Sequence, residues 1–242
     1  LEIFRWHLIR SALAILFFAI IAFIFKGIIF DVILLGPQKP GFPTYKALCS
    51  ISKFLGLDDA LCMNASPFSL QNISMSGQFS AHIMTSIFAG FIVAFPYVFW
   101  EFWRFISPAL YDAETKIARG VVFFSSGLFL FGVLFGYYVI APLSVNFLGS
   151  YQVSSTVINQ ISLTSFISTV TTVSLANGII FELPILVYFL TKIGLLTPEF
   201  MLMYRKHSMV VILILSAIIT PPDITSQILV AFPLMILYEL SI

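Results

Sequence analysis

This chain is poor in charge. Only 10% of its 242 residues are Asp, Glu, Lys or Arg, and the formal net charge is +1. A water-soluble domain of this length needs far more polar surface. So small a net charge also offers no field for nucleic acid or for an acidic ligand. The histidines, His7, His82 and His207, share no metal-ligand spacing, so no metal site is expected. No phosphate-cradling glycine loop or cofactor fingerprint is present, and no cofactor is expected. A serine–histidine or paired-aspartate set of the kind an intramembrane protease needs is missing too, which argues against an enzyme. The first apolar stretch has no small-residue cleavage site after it and runs on too long for a signal peptide. What the chain has instead is 60% hydrophobic residues, 27 of them phenylalanine, and a mean hydropathy of +1.04. The expected class is an all-α integral membrane protein. The chain opens on Leu1 rather than Met and stops inside an apolar run at Ile242, so both natural ends are expected to lie outside it.

A helix needs roughly 20 apolar residues to cross a hydrocarbon core of about 30 Å. Six stretches are candidates within a single membrane domain spanning 1–242: about 8–35, 81–106, 120–147, 163–191, 208–219 and 224–242. Pro96 is expected to kink the second, and Gly132 and Gly136 mark a close-packing face on the third. Thr197-Pro198-Glu199 reads as a helix cap with a first-turn proline, and that helix carries Arg205, Lys206 and His207 before its apolar part begins. The remaining apolar run, 208–219, is about 12 residues or roughly 18 Å. The last two spans should therefore form a short hairpin that thins the bilayer around it, leaving a lopsided, concave bundle.

Loop charges set the orientation. Arg5 and Arg10, then Arg104, Lys116 and Arg119, then Lys192, Arg205 and Lys206 fall on one side, which predicts both termini in the cytoplasm. The opposite loops around 149–162 and 221–225 hold no Lys or Arg. The long first outer loop, 36–78, does hold Lys39, Lys46 and Lys53, but long loops translocate with less regard to charge. Within that loop, Tyr45, Leu48, Ser52 and Leu55 share a helical face, as expected of a short helix at the interface. Cys49 and Cys62 both fall there, on the oxidising side, and are expected to form a disulfide; two free thiols are the alternative.

Ionisable and polar residues within spans each need a reason. Glu182 lies deep in the fourth span, before Pro184, on a helix that also carries Thr164, Ser165, Ser168, Thr169, Thr171, Thr172, Ser174 and Asn177. Either this helix faces a recessed, partly wet cavity in which Glu182 binds a polar group, or Glu182 is hydrogen-bonded to a neighbouring helix. Glu239 is equally open between packing and function. Glu101, between Trp100 and Trp103, is expected simply to reach water. Asp112 and Glu114 follow Ile106-Ser107-Pro108-Ala109-Leu110-Tyr111 in a cytoplasmic loop, and Glu2 lies on the same side ahead of Arg5. Carboxylates gathered on one face suit a cationic ligand, above all arginine, whose guanidinium pairs bidentately.

Three motifs occur in order: Phe105-Ile106-Ser107-Pro108-Ala109-Leu110-Tyr111 with Glu114, Phe181-Glu182-Leu183-Pro184, and Thr220-Pro221-Pro222-Asp223 with Gln227 and Pro233. Together with six spans and a short final pair, they make the chain resemble the TatC family of twin-arginine translocase subunits over essentially its whole length. That resemblance implies a receptor and scaffold in the bacterial inner membrane. It would bind signal peptides bearing two consecutive arginines and support export of folded proteins driven by the proton gradient. It implies partner subunits of the single-span TatA/TatB type, and a homo-oligomer within a larger complex is compatible with it. Carried over by position, Glu114 receives the arginine pair, Phe105 belongs to the same patch, and Glu182 is the polar residue of the intramembrane cavity. Pro37 is the proline at the bend after the first span, and Asp223, Gln227 and Pro233 mark the last hairpin in structural or partner-contact roles. The family's N-terminal motif departs here, with Ile3 where a Glu is usual and Glu2 one position away, a rotation of about 100°. A proton-coupled transporter of a small solute using Glu182 is the competing class, although no internal repeat of the transporter kind is visible.

Overall fold

In hydrocarbon an apolar segment must satisfy its own backbone, and a helix does so. The computed structural model describes residues 2–39, 41–54, 62, 68–106, 118–154, 159–192, 194–220 and 223–241. α1 (Glu2–Ile24) passes near Phe25 into a π-helical stretch, Ile28–Leu34, so the first span begins earlier than expected. A 3-10 turn, Gly36–Gln38, follows, with Pro37 buried in it. α2 (Pro43–Phe54) lies in the first interhelical loop, and α3 (Gly77–Ile106) contains Pro96. α4 (Ala118–Phe135), a π turn (Gly136–Ile140) and α5 (Ala141–Ser150) make the third span. α6 (Leu163–Ile180) and α7 (Leu183–Lys192) make the fourth. α8 (Pro198–Met203), α9 (Arg205–Ile219) and α10 (Ile224–Ser241) complete the chain.

Five helical stretches among the described residues are long and apolar enough to cross a membrane: Phe4–Ile24, Gly77–Phe105, Gly120–Ser150, Leu163–Lys192 and Ile224–Ser241. α9 is the exception. Its 15 residues rise about 22 Å, short of the roughly 30 Å core. The expected cap is present: the Thr197 hydroxyl accepts from the Phe200 N–H at 3.2 Å. The helix it starts does not run through, however, but breaks at Tyr204 between α8 and α9.

Small residues set the closest approaches. A Cβ on Gly132 would lie 2.8 Å from the Asn177 carbonyl oxygen, and one on Gly136 would lie 2.9 Å from the Ser174 Cα. Glycine at both places is what lets α4 and α6 touch backbone to backbone. Phe129, Phe181, Val170, Val230 and Leu234 are among the most completely buried side chains and belong to three core clusters.

Strands were not anticipated in an all-helical chain, yet a two-stranded parallel sheet joins the loops on the face opposite the N-terminus. β1 (Ser69–Gln71) pairs with β2 (Gln160–Ser162), Leu70 opposite Ile161. α2 packs beneath the same region. Tyr45 is buried and its hydroxyl donates to the carbonyls of Pro37 (2.8 Å) and Pro142 (3.2 Å). Ser52, two turns further along the same face, is also fully buried, while Leu48 is half-buried and Leu55 lies outside the described residues. Cys49 and Cys62 are disulfide-bonded, with Cα atoms 4.2 Å apart.

Candidate functional site

Two regions collect the residues singled out above. The first is the face that carries the N-terminus. Phe4 on α1 and Phe105 at the end of α3 meet at 5.1 Å between ring centroids, and the His7 ring lies 6.1 Å from Phe105. Glu2 and Arg5 are exposed. At about 100° per residue they sit roughly 140° and 160° around α1 from His7, so both point away from α3. Glu114 falls within 107–117, outside the described residues.

Glu101 does not reach water. It is 2% exposed, its Oε2 pairs with His7 Nδ1, and its Oε1 accepts from the Tyr97 hydroxyl at 3.0 Å. The expectation counted distance along α3 to the membrane surface and left out rotation, which turns this carboxylate onto α1. Tyr97, one helical turn earlier, lies on the same stripe as its acceptor.

The second region is the break in the fourth span. Pro184 has no N–H and its ring excludes a helical carbonyl four residues back, at Ile180. The chain responds with a tight turn: Phe181 N–H bonds to Asn177 at 3.0 Å, Glu182 N–H bonds to Ile179 at 3.1 Å, and the helix resumes with Leu186 to Glu182 at 3.0 Å. Glu182 is thereby held at the break, half-buried, with Ser125 of α4 donating to its Oε2 at 2.6 Å. Its Oε1 is buried without a hydrogen-bond partner among the described residues. Of the two readings of Glu182, the bond to a neighbouring helix is the one present.

The other polar residues of this span divide. Thr171, Ser174 and Asn177 are buried and donate back to Ile167 (2.7 Å), Val170 (2.7 Å) and Val173 (2.8 Å) within their own helix. Ser165, Ser168, Thr169 and Thr172 line a groove of about 410 Å³ closed on one side by Ile219 and Thr220 at the tip of α9, and Thr169 also donates back to the Ser165 carbonyl at 2.9 Å. The polarity of the helix thus has two causes, internal bonding and a hydroxyl-lined recess beside the short hairpin. A separate, mainly apolar cavity of about 370 Å³ lies between the first four spans, near Val32, Thr85, Val133 and Tyr137.

At the hairpin turn, Asp223 is buried and its Oδ2 accepts from the Ser226 N–H at 2.7 Å, capping α10. Gln227 Nε2 donates across to the Leu213 carbonyl of α9 at 3.2 Å. Pro233 lies inside α10, half-buried. Glu239 pairs with Arg205 at 2.6 Å and ties the other ends of α9 and α10 together. Ser125, the partner of Glu182, carried no sequence signal, because a single serine in a membrane helix is ordinary. Lys26 and Asp31, two charges inside the expected first span, were passed over; both are exposed, and Lys39 Nζ donates to the Asp31 carbonyl at 2.5 Å.

A family model described as "Sec-independent protein translocase protein (TatC)" matches residues 1–233. A Sec-independent protein translocase protein TatC of Blattabacterium sp. subsp. Periplaneta americana (strain BPLAN) is 42% identical over 243 residues, covering 100% of this chain and 91% of that protein. The TatC of Aquifex aeolicus (strain VF5) is 34% identical over 241 residues, covering 98% and 89%. A crystal structure of a twin arginine translocase receptor, TatC, in DDM superposes with a TM-score of 0.76 at 34% identity, covering 99% of this chain and 96% of that one.

Proposed function

Because the chain belongs to the TatC family of Sec-independent protein translocase proteins, we propose that it is the receptor and scaffold subunit of a twin-arginine export system. In this reading both termini lie in the cytoplasm of a bacterium and the six hydrophobic segments sit in its inner membrane. Signal peptides with paired arginines bind the cytoplasmic face, single-span TatA/TatB-type subunits complete the machine, and the proton gradient drives transport of folded cargo. The observation that carries the reading is the full-length likeness to a solved twin arginine translocase receptor. The family membership removes the ground for a small-solute transporter.

The proposed recognition patch joins Glu114, Phe105, Glu2 and Arg5. A guanidinium pairs bidentately with a carboxylate, and Phe105 with Phe4 supplies an aromatic surface for the flanking peptide. With Ile3 at the usual glutamate position and Glu2 turned away from α3, Glu114 carries the larger share. Glu182 serves the intramembrane step in which the apolar part of the signal or a partner helix enters. Asp223, Gln227, Pro233 and Pro37 keep the hairpin and the first bend in shape. Glu114→Ala should abolish crosslinking of a twin-arginine signal peptide to the protein in membranes; undiminished crosslinking at moderate salt would count against the patch.

A further inference from the structure

The first span is thinly packed. Among the described side chains of α1, Ala19 and Ala22 are the buried apolar ones, and its large side chains, from Phe4 to Ile24, are mostly exposed. Apolar burial of two alanines cannot by itself fix the rotation or height of a helix of 23 residues against its neighbour. Yet α1 lies along α3, and three contacts spaced along its length hold it there.

In the middle, Gly90 of α3 admits the α1 backbone: a Cβ there would lie 2.6 Å from the Ala19 nitrogen and 2.8 Å from the Ile15 carbonyl oxygen. At the end far from the N-terminus, His82 Nε2 bonds to the Phe23 carbonyl at 3.1 Å and its ring stacks on Phe23 at 3.9 Å. At the N-terminal end, His7 pairs with buried Glu101, which Tyr97 also holds. Ile15, Ala19 and Phe23 recur every four residues along α1, and His7 meets α3 two turns before Ile15, so the contacts are spread along the length of the α1–α3 crossing. The glycine crossing is a smooth pivot; the polar contacts at its two ends are directional and admit one register.

We propose that the His7–Glu101–Tyr97 cluster, closed on the buried Glu101 carboxylate, is a clasp that positions the first turns of α1, and that His7 and Glu101 are positioning residues for recognition of the paired-arginine peptide. The inference rests on the functional reading above and names what sets the geometry of that same site. With the clasp closed, Phe4 is held on Phe105 while Glu2 and Arg5 are turned outward. A buried carboxylate that lost its imidazole would be left with an uncompensated group and a reason to pull away from α1. The arm ahead of His7 would then be held by the Phe4–Phe105 ring contact and by the Gly90 crossing, which begins at Ile15, about 12 Å along the helix.

The test uses the full-length protein in detergent, with spin labels on Trp6→Cys and Phe123→Cys, both exposed positions. The label–label distance distribution is narrow in the parent. It broadens in His7→Ala and in Glu101→Ala, and narrows again in the exchange His7→Glu with Glu101→His. Tyr97→Phe, which keeps the ring and loses one hydrogen bond, broadens it less. Affinity for a synthetic twin-arginine peptide falls about tenfold in the two alanine variants, as misplacement of a binding group implies, and recovers in the exchange. Unchanged distance distributions in the alanine variants would overturn the clasp. Broadened distances with unchanged affinity would overturn its role in recognition. A parent that does not prefer the twin-arginine peptide to its lysine counterpart would sink the functional reading instead, and the distances alone would then judge the clasp.

Discussion

Glu182 and Asn177 lie five positions apart on one membrane span and solve the same problem differently. Asn177 is fully buried and donates to its own helix through Val173, whereas Glu182 reaches across to Ser125. Replacing Ser125 by Ala leaves the carboxylate without that donor, and the unmet desolvation should cost about 1–3 kcal/mol. Thermal unfolding in detergent measures it, and an unchanged midpoint would show that water already serves Glu182. Glu182→Ala should separate the two roles of the carboxylate. The protein is expected to fold and insert while export of a twin-arginine reporter collapses. If export persists and the melting point alone drops, the residue is a packing partner. Glu182 was legible because a carboxylate amid apolar residues is conspicuous. Its partner was not, since serine is common in such helices, and neither was the fate of Glu101, which depends on which way α3 is turned.

At the scale of elements, the spans were readable from apolar length. The boundary at Pro37 and the shortness of α9 follow from local chemistry, whereas the break before Pro184 interrupts a span expected to be continuous, Pro96 lies inside the unbroken α3, and α10, expected to be short, is long enough to cross. The π-helical stretches at Ile28–Leu34 and Gly136–Ile140 and the β1–β2 pairing were not readable, because they arise from how distant segments meet. The glycines of the third span are the clearest case in which spacing and packing agree. Gly136→Val would drive a branched side chain into the Ser174 backbone of α6, and overpacking of this kind should cost about 1–3 kcal/mol. Gly127, whose Cβ would meet nothing within 4 Å, is the control, and Gly127→Ala should leave stability unchanged or higher. Equal losses at both positions would refute the close-packing account. In the first loop, the disulfide closes a segment with a sequence separation of 13. Cys49→Ser should therefore lower stability by about 2–4 kcal/mol in the chain-entropy picture. Reductant should lower the parent to the same level and leave the variant unaffected.

For the whole molecule, five membrane-length stretches and the shorter α9 leave a hydroxyl-lined recess where the last hairpin stops. A bundle with one short corner should be most stable where the bilayer is thin. Reconstituted in short-chain phospholipid, it should melt higher than in long-chain phospholipid, and the reverse order would contradict the short-hairpin reading. The fold itself bounds what such a chain does. It offers a face carrying Phe4, Phe105, Glu2 and Arg5, and a half-buried Glu182 within the membrane, the features on which the proposed receptor role rests. The most direct test of that claim is equilibrium binding of the purified protein to a synthetic twin-arginine signal peptide and to the same peptide with both arginines changed to lysine. The account predicts clear binding of the first and weaker binding of the second, because an ammonium cannot form the bidentate pair with a carboxylate. Equal affinity for the two peptides, or none for either, would contradict it.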